Sequence, residues 1–337
     1  MPTTLNVLYA ADENYAPFLG VSMFSLFKHN TDIAHIRVYA VLDNVSDENK
    51  QKLLSTARQF NREFIPVDAA QFNTTLQELG VPTYRGRRAA NYRIFFDKII
   101  APDVEKLLYL DCDTLIVGSV AALACQDLGP CAAAAVQDSL GSSFYKKNIL
   151  GFQPEEFYFN SGVLVIDVKN WQQLHLTQDI LHHTQHVRAR YCNPDQDLLN
   201  LRLKGHVHML GPQYNFQPVH RAYSDGAYAR VYGFAHYYTP AQIDAARKHP
   251  VILHTYRFLG QFPWHKHNLH PDTPLFDFYL SQTLWKDSPK QETACNGFVF
   301  KIERLLYRLL PKTVFLRLFA AAQNRSFARQ NKKLQQN

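Results

Sequence analysis

Three residues of this 337-residue chain combine type and position in a way that suits metal chemistry. Asp111 and Asp113 flank Cys112 directly after Lys106–Leu110, KLLYL, a short apolar run that reads as a buried strand. His254 follows Val251–Leu253, another short run with β-branched residues. In an open α/β sheet, ligands bind just beyond the carboxyl ends of strands. Two hard carboxylates and an imidazole delivered there suit Mn²⁺, with Mg²⁺ as the alternative, and such an ion holds substrate phosphates. Spacing alone leaves a plainer alternative open, with Asp111 and Asp113 as solvated turn residues and His254 as a core histidine. Asp-x-Asp is weak evidence by itself, since chance supplies about one in a chain of this length. Asp195-Gln196-Asp197 is a second instance.

The elements that must position these residues alternate between periods of two and 3.6. Strand candidates are Leu5–Tyr9, Ile36–Leu42, Phe64–Val67, Lys106–Leu110, Ala132–Val136, Phe157–Asp167, Val207–Leu210 and Val251–Leu253. Helix candidates are Phe18–Lys28, Ser46–Phe60 with Ser46 as N-cap, Gln71–Leu79, Ala89–Ile100, Trp171–Arg190 and Asp195–Leu203. This order predicts βαβ units and a mainly parallel sheet. Ile36–Leu42 tolerates an edge position because its polar residues alternate. Val219–His249 is aromatic-rich and carries no clear period. The sequence shows no internal repeat.

At 46% hydrophobic and 19% charged, the chain can build a large core. The net charge of +7 is uneven: Phe298–Asn337 holds nine Lys or Arg against one Glu, which leaves the rest at −1. A nucleic-acid enzyme more often spreads basic residues over its folded surface, so no nucleic acid is expected as partner. Five cysteines without C-x-x-C or zinc spacing read as reduced thiols of a cytosolic protein. The N-terminus has no signal-peptide pattern, and no apolar run reaches the ~18–20 residues of a membrane span.

Seven segments in order resemble the family 8 glycosyltransferases, the group that includes bacterial lipooligosaccharide galactosyl- and glucosyltransferases and glycogenin. They are Tyr9–Tyr15 (YAADENY), Asn91–Phe96 (NYRIFF), Lys106–Ile116 (KLLYLDCDTLI), Phe159–Asp167 (FNSGVLVID), Asn193–Asn200 (NPDQDLLN), Tyr214–Phe216 (YNF) and Leu253–His265 (LHTYRFLGQFPWH). The resemblance implies an α/β GT-A fold: a Rossmann-like nucleotide-binding domain with a central mixed sheet over residues 1–270. A helical, basic tail follows over 271–337. It also implies a retaining transfer of galactose or glucose from a UDP-sugar, with Asp111, Asp113 and His254 as metal ligands.

Other site residues follow from the same resemblance. Ala10, Ala11, Asp12, Asn14 and Tyr15 would approach the uridine, although an ordinary βα loop with an Asp or Asn cap explains them equally well. Arg93 would reach a phosphate or sugar hydroxyl, its plain alternative being a surface ion pair. Cys112, Asn160, Ser161, Gly162 and Gly260 would lie along the donor. Polar and Gly residues inside an apolar strand also mark close approach by a ligand or a bulge. Asp138 would contact the hexose, or would simply end a strand. Asp195 and Gln196 are the catalytic candidates, with helix N-cap the plain role for Asp195. An amide is a poor nucleophile, which favours front-face attack by the acceptor hydroxyl over a covalent intermediate.

One position departs from the family pattern. Phe262 precedes Pro263-Trp264 where a Lys that contacts the diphosphate is common, so Arg257 or Lys266 must supply that charge if it is supplied. The His265, His267, His270 group fits no standard zinc site. In the tail, Phe298, Ile302, Leu305, Leu306 and Leu309 recur at helical spacing beside Lys301, Arg304 and Arg308. Such a helix either lies in an anionic membrane surface or packs on the body. The first case gives a cytoplasmic enzyme, peripheral on the inner membrane face, with a lipooligosaccharide or lipopolysaccharide acceptor. The rival readings are a glycogenin-like or protein glycosyltransferase, another metal-dependent phosphoryl-group enzyme, and a non-catalytic sugar-nucleotide or membrane-surface binding protein.

Overall fold

A computed structural model describes residues 4–81, 88–139, 150–153, 156–186, 191, 193–223 and 238–335. Its strands are β1 Thr4–Asp12, β2 His35–Asp43, β3 Glu63–Asp68, β4 Lys106–Leu110, β5 Thr114–Ile116, β6 Ala133–Gln137, β7 Phe159–Asp167, β8 Val207–Met209 and β9 Ile252–His254. Seven of them form one sheet in the order β3-β2-β1-β4-β7-β6-β8, and β5 pairs with β9 in a separate ribbon. β1, β2, β3 and β4 run parallel, whereas β7 is antiparallel to both β4 and β6. The sheet is therefore mixed. β2 lies between β1 and β3 rather than at an edge. The edge on that side is β3, whose burial alternates along its length, and the other edge is β8.

Both faces of the sheet are covered, which explains why the central strands read as unbroken apolar runs. One face buries Val7, Tyr9, Val38, Leu108 and Val165 against the helix Ala16–His29. The other buries Leu8, Tyr39, Tyr109 and Leu164 against Phe95, Phe96 and Trp171. The first layer extends into the C-terminal part, where Trp285 lies directly over Gly20. A Cβ on Gly20 would sit 2.0 Å from the indole. The indole Nε1 donates to Asn49 at 2.7 Å. Truncating such a buried ring costs about 3–5 kcal/mol.

Ser46 caps the helix Asp47–Gln59 as expected, accepting from the Asn49 N–H. Elsewhere two local expectations change. Ala89–Lys98 is a 3-10 helix with a kink at Phe95 instead of an α-helix. The segment expected as one helix from Trp171 is two, Val168–Gln173 and Leu176–His186, broken where His175 adopts φ 50°. Residues 187–190 of that expectation lie outside the described residues, as do residues 224–237 of the aromatic segment. Phe159–Asp167 is one strand, and its polar segment forms the expected bulge: Ala135 and Val136 are consecutive on β6 but pair with Leu164 and Asn160, which leaves Ser161, Gly162 and Val163 as the extra residues on β7.

The tail forms the helices Phe298–Leu309 and Lys312–Gln335. Phe315, Leu316 and Ala320 are buried with Tyr223, Phe258 and Leu259. No helix among the described residues is long and apolar enough to cross a membrane.

Candidate active site

The reversed direction of β7 assembles the site. Leu110 pairs with Val163, so the start of β7 lies beside the end of β4 and places Asn160, Ser161 and Gly162 next to Asp111. β6 ends at Gln137 on the same edge and delivers Asp138 there. The turn after β4 brings Asp113 round into β5, where Thr114 pairs with His254. Both Thr255 N–H and its hydroxyl donate to the Asp113 carbonyl, at 2.7 and 2.8 Å, which pins the two segments together.

Asp111, Asp113 and His254 each present a ligand atom, and these atoms lie within 4.8 Å of one another. They are the one such group of three found among the described residues. His254 Nε2 is 3.2 Å from Asp113 Oδ1 and 3.8 Å from Asp111 Oδ2. Its Nδ1 lies 3.0 Å from Asn160 Oδ1 and 3.1 Å from Asn215 Oδ1. Those acceptors keep the proton on Nδ1 and turn Nε2 toward the carboxylates, the arrangement that metal-binding histidines need. Burial lowers the His254 pKa, but Asp113 and Asp111 outweigh it and hold it raised. Burial pushes the Asp111 pKa up, against the pull of Arg93. Gly162 makes the cluster sterically feasible, because a Cβ there would lie 2.1 Å from His254 Cε1 and 2.7 Å from Asp111 Oδ2. Two hard oxygens, one imidazole and this missing side chain fit a small divalent cation.

A second network adjoins the first. Asp138 Oδ2 accepts from Asn160 Nδ2 at 2.8 Å and from Gln196 Nε2 at 3.2 Å. Gln196 Nε2 also donates to the Tyr158 hydroxyl at 3.0 Å, and that hydroxyl donates to Asp197 Oδ1 at 2.6 Å. The Gln196 carbonyl accepts from the Ser161 N–H at 3.1 Å. An N–H on one side and a carboxylate on the other leave the amide a single orientation. Asn193, not Asp195, is the N-cap of the helix Pro194–Arg202. The Asp195 carboxylate meets Arg93 Nη2 at 3.1 Å.

Arg93 is not in a surface pair; it is buried, 2% exposed. It also lies 3.5 Å from Asp111 Oδ1 and stacks 4.1 Å from the Tyr109 ring centroid. Its other nitrogens donate to the Ala90 and Ser161 carbonyls. It thus offsets the charge of Asp111 and Asp195 from inside the protein.

At the end of β1, Ala10 and Ala11 are buried, and the Cys112 thiol donates to the Ala10 carbonyl at 3.2 Å. Asp12 accepts the Tyr15 N–H at 3.0 Å, and Asn14 is exposed. Glu13, which the sequence did not single out, braces this loop by accepting from the Ser46 N–H and hydroxyl and from Asn49. Tyr15 meets Phe262 and Trp264 edge-on, and those two rings stack at 4.4 Å. Gly260 has φ 76°, and its carbonyl accepts from Thr293 at 3.0 Å. His265 and His270 serve as neutral hydrogen-bond partners: His265 Nδ1 accepts the Phe262 N–H, and His270 contacts the Tyr256 carbonyl. Burial pushes both imidazoles down to about 4.

Sequence reasoning also missed Asn215, Tyr158 and Asp197. Asn215 lies in the quoted YNF segment, which was the available signal.

The chain is similar to known proteins. General stress protein A of Bacillus subtilis is 26% identical over 290 residues, covering 83% of this chain and 94% of that protein. The lipopolysaccharide 1,2-glucosyltransferase of Escherichia coli K12 is 27% identical over 307 residues, covering 90% and 85%. The galactosyltransferase LgtC, solved with donor and acceptor sugar analogs, superposes with a TM-score of 0.63 at 25% identity, covering 83% of this chain and 96% of LgtC. The seven-stranded mixed sheet is that of the GT-A fold. The description Glycosyl transferase family 8 matches residues 6–268. The chain belongs to glycosyl transferase family 8.

Proposed function

We propose that the protein is a retaining, Mn²⁺-dependent hexosyltransferase that moves galactose or glucose from a UDP-sugar to a lipooligosaccharide, lipopolysaccharide or other surface glycan. The observation that carries this reading is the Asp111–Asp113–His254 cluster, set against the Gln196–Asp138–Asn160 network on the same sheet edge. The likeness to LgtC and to a lipopolysaccharide glucosyltransferase supports the donor and acceptor classes.

Asp111, Asp113 and His254 would hold the divalent ion. When bound, that ion supplies Lewis-acid neutralisation of charge on the departing UDP. Every other part of the work belongs to the chain. Asp138 and Asn160 offer acceptor and donor groups to the hexose hydroxyls. Arg93 holds Asp195 and Asp111 in place. Gln196 presents its amide to the anomeric carbon in one orientation, stabilising positive charge as the glycosidic bond breaks. The acceptor hydroxyl attacks from the face that UDP leaves, and a diphosphate oxygen takes its proton, so configuration is retained without a protein nucleophile.

The test is UDP release from a panel of UDP-sugars, with and without Mn²⁺, in wild type and Asp113→Ala. One UDP-hexose hydrolysed only with Mn²⁺, and spared by the mutant, is the expected outcome. No release from any donor by the folded wild type would sink the reading.

The helix Phe298–Leu309 supports association with an anionic membrane surface. Phe298, Val299 and Leu309 are 77, 74 and 70% exposed, with Leu305 beside them and Lys301 and Arg308 also at the surface. Such a face gains from apolar insertion and from phosphate headgroups together. Co-sedimentation with anionic vesicles, lost in Phe298→Asp with Leu305→Asp, tests it; unchanged binding by the double variant argues against this face.

A further inference from the structure

Arg257 is the cation whose surroundings the fold does not explain. It stands three residues beyond the end of β9. Its Nε is buried without a hydrogen-bond partner among the described residues. Its nearest polar contact is Nη1 to the Cys295 sulfur at 3.9 Å, and a thiol is a weak acceptor. The guanidinium lies over the Phe262 ring, 5.1 Å from its centroid. Other arginines that give up solvent gain oxygens in return. Arg93 has Asp195 and Asp111, Arg221 has Asp272, and Arg62, whose Nε is likewise unpartnered, donates through its other nitrogens to three carbonyls. A partly buried charge left unpaired is costly, so the position calls for an anion that the chain does not supply.

Two features say where that anion would be. Phe262 also meets the Tyr15 ring at the nucleotide loop, and Tyr256, the neighbour of Arg257, packs perpendicular to the His254 ring at 5.0 Å. Arg257 is thus tied through Phe262 to the loop after β1, and through its chain neighbour Tyr256 to His254. Two other cations nearby are engaged elsewhere: Lys266 is 47% exposed and pairs with Glu292 at 3.1 Å, and Arg304 donates to the Cys295 carbonyl at 3.1 Å.

We propose that Arg257 binds the diphosphate of the nucleotide donor. The assignment rests on the UDP-sugar reading above. A planar fork suits two phosphate oxygens at once, which Lys cannot match.

The experiment is calorimetric titration of the full chain with UDP and with uridine, each in Mn²⁺. Arg257→Gln should weaken UDP about tenfold or more and leave uridine unchanged, while Lys266→Gln changes neither. Equal losses on both ligands would make Arg257 a brace for the loop and overturn the proposal, as would undiminished UDP binding. Should Arg257→Gln not fold, Arg257→Lys decides: a loss confined to UDP supports the assignment, and an unchanged ratio overturns it. Wild type that binds neither ligand refutes the UDP-sugar reading and this proposal with it, whereas UDP binding that ignores Arg257 refutes this proposal alone.

Discussion

Replacing Gly162 by Ala should disrupt the Asp111–Asp113–His254 cluster, and with it the proposed metal site, without unfolding the protein. The added Cβ would lie 2.1 Å from His254 Cε1, 2.9 Å from its Nδ1 and 2.7 Å from Asp111 Oδ2. Ordinary contact begins near 3.4 Å, so the ring must retreat by 1.3 Å, the difference of the two distances. It has little freedom to do so, because Asn160 and Asn215 hold Nδ1 and the Phe216 carbonyl holds the backbone N–H at 3.1 Å. Metal sites tolerate deviations of about 0.2 Å in ligand distance. A shift several times larger removes His254 from the set and disturbs Asp111 as well. Losing an outer partner of a ligand costs about 10–100-fold in affinity, and displacing a ligand itself should reach at least the upper end of that range. The overpacking should cost about 1–3 kcal/mol of stability, which lowers the melting temperature by several degrees and leaves a folded protein. Mn²⁺ titration by calorimetry, alongside thermal melting on the same sample, measures both quantities. Folded Gly162→Ala that binds Mn²⁺ within about threefold of wild type would refute the reasoning.

Asn215→Ala should lower Mn²⁺ affinity about 10–100-fold through the freed His254 ring, with unchanged affinity as the contrary result in the same titration. Tyr158→Phe leaves Gln196 and Asp197 each one partner short, and should lower turnover about 5–150-fold while the donor KM stays near wild type. A rise in KM with turnover intact would mean that Tyr158 shapes binding instead. His220 and His270 are buried and lowered from 6.5 to about 3 and about 4, mainly by desolvation. The unfolded chain binds protons that the folded chain refuses, so stability is complete above about pH 6.5 and falls as pH drops toward 4. Between pH 7 and pH 5 the two together should remove about 4 kcal/mol, an order-of-magnitude figure. Urea unfolding at the two pH values checks it, and equal stabilities would contradict it.

The Asp111–Asp113–His254 cluster was legible because its signals are local. A short apolar strand followed at once by hard ligands is visible within eight residues at Lys106–Asp113, and the same holds at Val251–His254. What the sequence could not show is pairing at long range. β5 is three residues long and directly follows the Asp pair, so nothing local marks Thr114–Ile116 as a strand. Its partner is β9, far along the chain, and that pairing brings His254 to Asp113. Asn215 gives no periodic or spacing signal at all. Asp197 was set aside as one half of a chance Asp-x-Asp, yet it is buried and holds Tyr158, which holds Gln196. The 3-10 helix was partly readable, since NYRIFF is rich in aromatic and β-branched residues of modest helix propensity. The break at His175 was not, because no Gly or Pro stands there.

The tail shows why the choice between packing on the body and lying on a membrane was posed too sharply. The helix Phe298–Leu309 has two working faces. On one, Arg304 donates to the Cys295 carbonyl at 3.1 Å, and Tyr307 meets Phe258 at 5.3 Å. A Cβ on Gly260 would lie 3.0 Å from Phe300, so the helix also braces the turn that follows Arg257. On the other face, Phe298, Val299, Leu305 and Leu309 remain in solvent. Packing consumes one side of the helix and leaves its apolar side for another partner. Removing the tail therefore tests two things at once: it uncovers Phe258 and Leu259 and deletes the exposed face. Substitutions confined to Phe298 and Leu305 separate them, because they leave Arg304, Tyr307 and Phe300 packed on Leu259, Phe258 and Gly260.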